Sequence, residues 1–242
     1  GGNTGPLMGI PVSVKDMFGV PGFPTFAGCA QPLPEHWQVA GPVIQALQSQ
    51  LALVVGKTHC VELAFGGLGS NPHWGTPRNP RDAHVHRVPG GSSSGAGISL
   101  VDGTAVLALG TDTAGSVRVP AAMTGVAGLK QTAGRWPTSQ IVPLSNTLDT
   151  PGLLAHRVDD LAFAFSAMDP VIAKHSKRLA AIPDLEDLTF GVPSGFFWEN
   201  CSPGIAEAVE RALRSLEKAG ARLVRFDLSG LDEIFEVFLK GG

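Results

Sequence analysis

The chain has 242 residues, 43% of them hydrophobic, enough to bury a substantial core in one domain. A formal net charge of −3, 16% charged residues and no long basic run argue against nucleic acid or an anionic membrane surface as a direct partner, so a small neutral or polar molecule fits better. Three scattered cysteines, Cys29, Cys60 and Cys201, exclude a disulfide framework and point to a reducing cytoplasm, and no run approaches the roughly 18 apolar residues of a membrane-spanning helix.

Along the chain, Ile10, Val12 and Val14 alternate with small or polar residues, which predicts a strand over 9–14 that delivers Lys15 to its end. A helix is expected over 41–50 from the spacing of Val43, Ile44 and Leu47, followed by a buried strand over 51–55 closed by Gly56. After a glycine-rich turn, a helix over 94–100 and a strand over 105–109 are expected, with a second glycine-containing turn over 110–116. Near the end, a strand over 188–192 precedes a helix with Ser202 as N-cap and Pro203 in first position. Its stripe of Ile205, Val209, Leu213 and Leu216 is expected to face a core. Gly220 ends that helix, and 222–228 alternates as a further strand. The pattern is α/β, with a mixed or mostly parallel sheet.

The densest local signal is Pro89-Gly90-Gly91-Ser92-Ser93-Ser94-Gly95, followed after a short strand by Gly110-Thr111-Asp112-Thr113-Ala114-Gly115-Ser116-Val117-Arg118. No Gly-Lys-Ser/Thr ending makes either a phosphate-binding loop, and the spacing is not that of a dinucleotide fingerprint. A hydroxyl nucleophile needs a base, an exposed position on a tight turn and backbone N–H donors for the developing oxyanion. Small residues around Ser116 meet the last two needs, with the amides of Thr113, Ala114, Gly115 and Ser116 as the candidate oxyanion hole. From composition alone, a turn that only connects a strand to a helix is the simpler reading.

Taken together, these two clusters resemble the signature of the amidase signature family. Gly9-Ile10-Pro11-Val12-Ser13-Val14-Lys15-Asp16 is similar to that family's lysine element. Val55-Gly56-Lys57-Thr58, Pro77-Arg78-Asn79-Pro80, Gly128-Leu129-Lys130 and Leu148-Asp149-Thr150-Pro151-Gly152 follow in the family's order. The resemblance implies a mixed, mostly parallel sheet flanked by helices on both faces. It also implies Ser116 as nucleophile, Ser92 as the bridging serine after a cis peptide bond and Lys15 as base, with Ser93, Asp112 and Arg118 in support. The implied reaction is hydrolysis of a small carboxamide through an acyl-enzyme, with neither metal nor organic cofactor, and a homodimer is left open. An amidotransferase A subunit, releasing ammonia from glutamine, is a related reading, and a non-catalytic interaction module is a third. Against the family's usual length the chain is expected to be a single, partial domain over 1–242, without N-terminal helices and the C-terminal part.

Other residues receive structural roles. Asp16 is expected to point away from Lys15, as neighbours on a strand do. Lys57 and Lys130 lie outside the matching lysine element. His59, His73, His84 and His86 lack the partners and spacing of a zinc site.

Overall fold

In the computed structural model, which describes residues 5–170, 172 and 184–240, the expected first strand forms as β1 (Pro11–Lys15), with Lys15 as its last residue. The chain divides into two compact units, Gly1–Leu179 and Ala180–Gly242.

In the first unit β1 lies between β2 (Leu53–Thr58) and β3 (Leu107–Asp112) and pairs in parallel with both. Antiparallel pairings then add β5 (Thr150–Ala155) to β3 and β4 (Ala127–Lys130) to β5, giving the order β2-β1-β3-β5-β4. Four strands share one direction and β5 opposes them, so the sheet is mixed, as its sequence pattern implies.

Two strand expectations need correcting. β2 runs through Gly56 to Thr58 because its parallel pairing continues to Lys15↔Thr58. It is also an edge strand, with Leu53 57% exposed, and not a buried one. The register skips a residue at an irregularity between Val12 and Ser13, which pair with Val54 and Gly56. β3 is displaced from 105–109 to Leu107–Asp112, so Gly110, Thr111 and Asp112 are strand and not turn, held by Gly110↔Gly152 and Asp112↔Thr150.

Alternation sorts the side chains onto two faces. Val12, Val14, Leu107, Leu109, Leu153 and Ala155 belong to one apolar cluster with α1 (Pro42–Ser49) and α4 (Val158–Met168). Ala108 and Leu154 belong to another with α2 (Ser94–Val101) and α3 (Arg118–Thr124). Each fully buried Val or Leu contributes about 1.5–3 kcal/mol of apolar transfer. Ser13 hydrogen-bonds Ser99 of α2 at 2.8 Å, and Lys15, two residues on, shares that face. The small residues opening α2 permit a close approach, since a Cβ on Gly95 would lie 2.6 Å from the His59 nitrogen.

The second unit holds a parallel pair, β6 (Thr189–Pro193) and β7 (Arg222–Phe226), with α5 (Pro203–Lys218) between them in sequence and α6 (Leu231–Leu239) after them. Ser202 and Pro203 take the expected N-cap and first positions, although the Ser202 hydroxyl makes no capping bond. Gly220, at φ +101°, follows the end of the helix. The expected core-facing stripe is met only in part: no residue of α5 is fully buried, Leu213 and Leu216 are half-buried, and Ile205, 61% exposed, and Val209 face outward.

Candidate active site

Lys15 is fully buried at the C-terminal end of β1. Its Nζ donates to Ser92 Oγ at 2.7 Å, to Thr111 Oγ1 at 2.7 Å and, more weakly, to the Thr111 carbonyl at 3.5 Å. Burial lowers its pKa to about 8, against the opposing pull of Cys60, Asp112 and Asp149. Asp16 turns away as expected: its Oδ1 lies 2.7 Å from Lys57 Nζ, and its Oδ2 accepts from the Phe26 amide at 3.0 Å. Burial pushes the Cys60 thiol up to about 12, leaving it protonated.

Ser92 is fully buried in the turn before α2, and its bond to Gly91 is cis. The turn is fixed from both sides. Gly91 N donates to Gly67 O at 2.8 Å, and Val61 N donates to Ser92 O at 3.2 Å. Ser93 braces the neighbouring strand, its hydroxyl donating to the Thr111 carbonyl at 3.2 Å. Gly110 makes room for it, since a Cβ there would stand 2.8 Å from Ser93 Oγ.

Ser116 lies half-buried on the loop from β3 to α3, and its carbonyl accepts from Ser93 N at 3.2 Å, so the two serine turns are joined directly. Its hydroxyl forms no hydrogen bond among the described residues. Among the described residues no hydrogen bond joins the Ser92 and Ser116 hydroxyls, and the direct link between the two turns is through the backbone.

Asp112 organises this loop from the inside. One carboxylate oxygen accepts from Gly115 N at 2.8 Å, and the other from Val117 N at 3.1 Å and Arg118 N at 3.3 Å. The Arg118 guanidinium closes the arrangement through Nε and Nη2, at 3.1 and 3.0 Å. Burial alone would raise the Asp112 pKa, but these donors outweigh it and hold the carboxyl below its usual value. Arg118 thus spends its planar edge on Asp112. The four candidate oxyanion amides differ: the Gly115 N–H is occupied by Asp112, whereas those of Thr113, Ala114 and Ser116 donate to no described residue.

Two residues stand out that carried no assigned role in the sequence. Thr111 accepts from Lys15, and Asp149 accepts from Thr113 Oγ1 at 2.5 Å. Both belong to the ordered motifs, but their partners lie 96 and 36 residues away, beyond any local pattern.

Two cavities flank this region, and neither has Lys15, Ser92 or Ser116 in its wall. One, of about 600 Å³, is walled by Phe23, Phe26, Trp74 and the Asp16–Lys57 pair. The other, of about 620 Å³, lies among Val61, Leu63, Phe65, Ser70, Pro143 and Leu144. Both border the site: His59, in the wall of the first, is bonded to Ser94 and Gly95, while Val61, in the wall of the second, is bonded to Ser92 and Leu144 is linked through Asp149 to Thr113.

The histidines are dispersed. His59 contacts Ser94 Oγ and the Gly75 carbonyl, His73 meets Glu62 at 3.0 Å, and His84 and His86 are exposed. Among the described residues no three His, Cys, Asp or Glu side chains are grouped to hold a metal ion, and no helix is long and apolar enough to cross a membrane.

The chain is 59% identical over 244 residues to 2-amino-5-chloromuconic acid deaminase of Comamonas testosteroni, covering 100% of this chain and 52% of that protein. It is 38% identical over 240 residues to mandelamide hydrolase of Pseudomonas putida, covering 98% and 45%. A crystal structure of an amidase superposes with a TM-score of 0.83 at 33% identity, covering 96% of this chain and 51% of that one. The chain therefore spans about half the length of the relatives it matches. With the amidase family model matching residues 1–241 on top of these likenesses, the chain belongs to the amidase family.

Proposed function

We propose that this chain carries the catalytic groups of a cytoplasmic hydrolase that cleaves a carbon–nitrogen bond in a small carboxamide, with Ser116 as nucleophile, Ser92 as bridge and Lys15 as base. The observation that carries this reading is the 2.7 Å contact between Lys15 Nζ and Ser92 Oγ in a fully buried setting that lowers the lysine pKa to about 8. A neutral amine is present there in useful amount near neutral pH, which an exposed lysine would not supply.

Proton accounting gives the sequence of steps. Neutral Lys15 takes the Ser92 proton as Ser92 takes that of Ser116, and the Ser116 oxygen bonds to the carbonyl carbon. The carbonyl electron pair moves onto oxygen, where the free N–H groups of Thr113, Ala114 and Ser116 stabilise it. Collapse breaks the C–N bond, and the proton held by Lys15 returns through Ser92 to the departing nitrogen. Water then repeats the relay against the acyl-enzyme, releasing the acid and restoring Ser116. Asp112, Arg118 and Ser93 hold the two turns in place.

Mandelamide hydrolase supports a small carboxamide as substrate, and 2-amino-5-chloromuconic acid deaminase supports a small carboxylate-bearing molecule that loses nitrogen. Intact-mass analysis after exposure to a fluorophosphonate tests the reading. One adduct that maps to Ser116 and disappears in Ser116→Ala is expected; an adduct that persists in Ser116→Ala overturns the assignment.

A further inference from the structure

We propose that Asp149 is a positioning residue that ties the wall of the cavity beside Val61 and Leu144 to the loop carrying Ser116, by gripping Thr113. The inference rests on the hydrolase reading above and adds to it a residue outside the Lys15, Ser92 and Ser116 relay.

The Asp149 carboxylate is divided between two segments. Its Oδ1 accepts from Thr113 Oγ1 at 2.5 Å, and its Oδ2 accepts from the amides of Leu144 and Ser145 at 2.8 and 3.0 Å. Asp149 N also donates to the Ser145 carbonyl at 3.1 Å, closing the turn that presents Leu144. Pro143 and Leu144 wall the cavity of about 620 Å³ together with Val61, Leu63 and Phe65. On the other side, Thr113 bears a free N–H at the start of the loop that Asp112 braces only from Gly115 onward. Asp149 therefore holds the part of the loop that Asp112 does not reach. Hydrogen bonds to a carboxylate are short and about twice as strong as neutral ones, so one acid suffices to lock both segments. A substrate seated against Leu144 then meets a loop whose Thr113 is held in place by the same carboxylate.

Asp149 also acts at a distance on Lys15. Two carboxylates bear on Lys15, Asp112, which is compensated by Arg118, and Asp149, while the protonated Cys60 beside it carries no charge. Removing the Asp149 charge moves the Lys15 pKa further down, while removing the Thr113 hydroxyl leaves that charge in place.

The experiment measures the second-order rate of fluorophosphonate labelling of Ser116 against pH in the full chain, for Asp149→Asn, Thr113→Val, their double variant and Thr113→Ser. Each of the first two is expected to slow labelling by about tenfold to a hundredfold, the range for misplacing a reacting group. The double variant should be no slower than the slower single one, and Thr113→Ser should restore most of what Thr113→Val loses. Asp149→Asn and the double variant, which lack that charge, should move the acid limb to lower pH, and Thr113→Val should not. Wild-type rates in Thr113→Val and Asp149→Asn, or multiplicative losses in the double variant, overturn the proposal. Ser116→Ala run beside them separates the two failures. Persistent labelling there sinks the hydrolase reading, whereas its loss there with unaffected Asp149 and Thr113 variants sinks only the positioning role.

Discussion

The strand ends of the first unit and the helix–strand layer of the second are built from the same parts, short parallel strands with helices between them, and they treat polar and apolar side chains in opposite ways. At the C-terminal ends of β1 and β3, Lys15, Ser92, Ser93, Ser94 and Asp112 are all fully buried. Around β6 and β7, Ile205, Val209, Phe226 and Ile234 are exposed. Burying a polar group is unfavourable unless its hydrogen bonds are met, and those of Lys15 and Asp112 are met by several partners each. Such an arrangement tolerates little change. The second unit carries an ordinary amphipathic helix with no comparable network along it, so its sequence is far freer.

The largest effect expected from this contrast is at Lys15. Lys15→Met preserves length and suits the buried site, but it removes the base. Labelling of Ser116 should fall by about 10²–10⁴-fold, the usual contribution of a positioned general base. The pH profile should change with it. Because burial lowers the Lys15 pKa to about 8, the amine is charged below that pH and neutral above it, so the wild-type rate rises through about pH 8 and then levels. Lys15→Met should lose that rise. An unaltered limb in the variant would assign the titration to another group and remove the physical basis for choosing this lysine. Lys218→Met at the end of exposed α5 should change neither the rate nor the limb.

The same contrast explains what could be read from the amino acids alone. β1 was legible because Val12 and Val14 alternate with Ser13 and Lys15, and the two serine turns because glycine and serine are concentrated there. The extent of β2 and β3 was not, because each continues through a glycine on the strength of pairing with a strand remote in sequence, Ser13↔Gly56 in one case and Gly110↔Gly152 in the other. β5, with Pro151 and Gly152 in its middle and buried side chains on both faces, offered no alternation to detect. Lys15, Ser92 and Ser116 were named through ordered motifs, whereas the parts of Thr111 and Asp149 depend on distances that only the folded chain creates. The stripe on α5 is legible as helical from its spacing. Periodicity reports which face is apolar and says nothing of what covers it.

A middle-sized effect belongs to Gly110, where the crowding itself can be tested. Gly110→Ala would set a methyl 2.8 Å from Ser93 Oγ and 3.0 Å from Val117 Cγ2, both short, stiff side chains. Overpacking of this kind costs about 1–3 kcal/mol, and urea unfolding should show it as a lower midpoint at unchanged slope. Since Ser93 also bonds the Thr111 carbonyl and the Ser116 carbonyl, labelling should slow as well. Full stability in Gly110→Ala would mean that the β3–α2 contact has slack, and that the small residues there are not set by close approach.

The smallest effect is expected on α5, and it bears most directly on the comparison. Ile205→Ser exchanges a side chain that is 61% exposed at the first turn of a helix with no buried residue. Substitutions at such sites usually stay within about 0.5 kcal/mol, so the unfolding midpoint should barely move. Serine is also acceptable near a helix N-terminus, which leaves little reason for a loss from propensity. A loss well above about 1 kcal/mol would place Ile205 among buried core positions, where such losses arise. The apolar stripe would then be packed against polypeptide from outside the second unit, and the freedom attributed to α5 would vanish with its exposure.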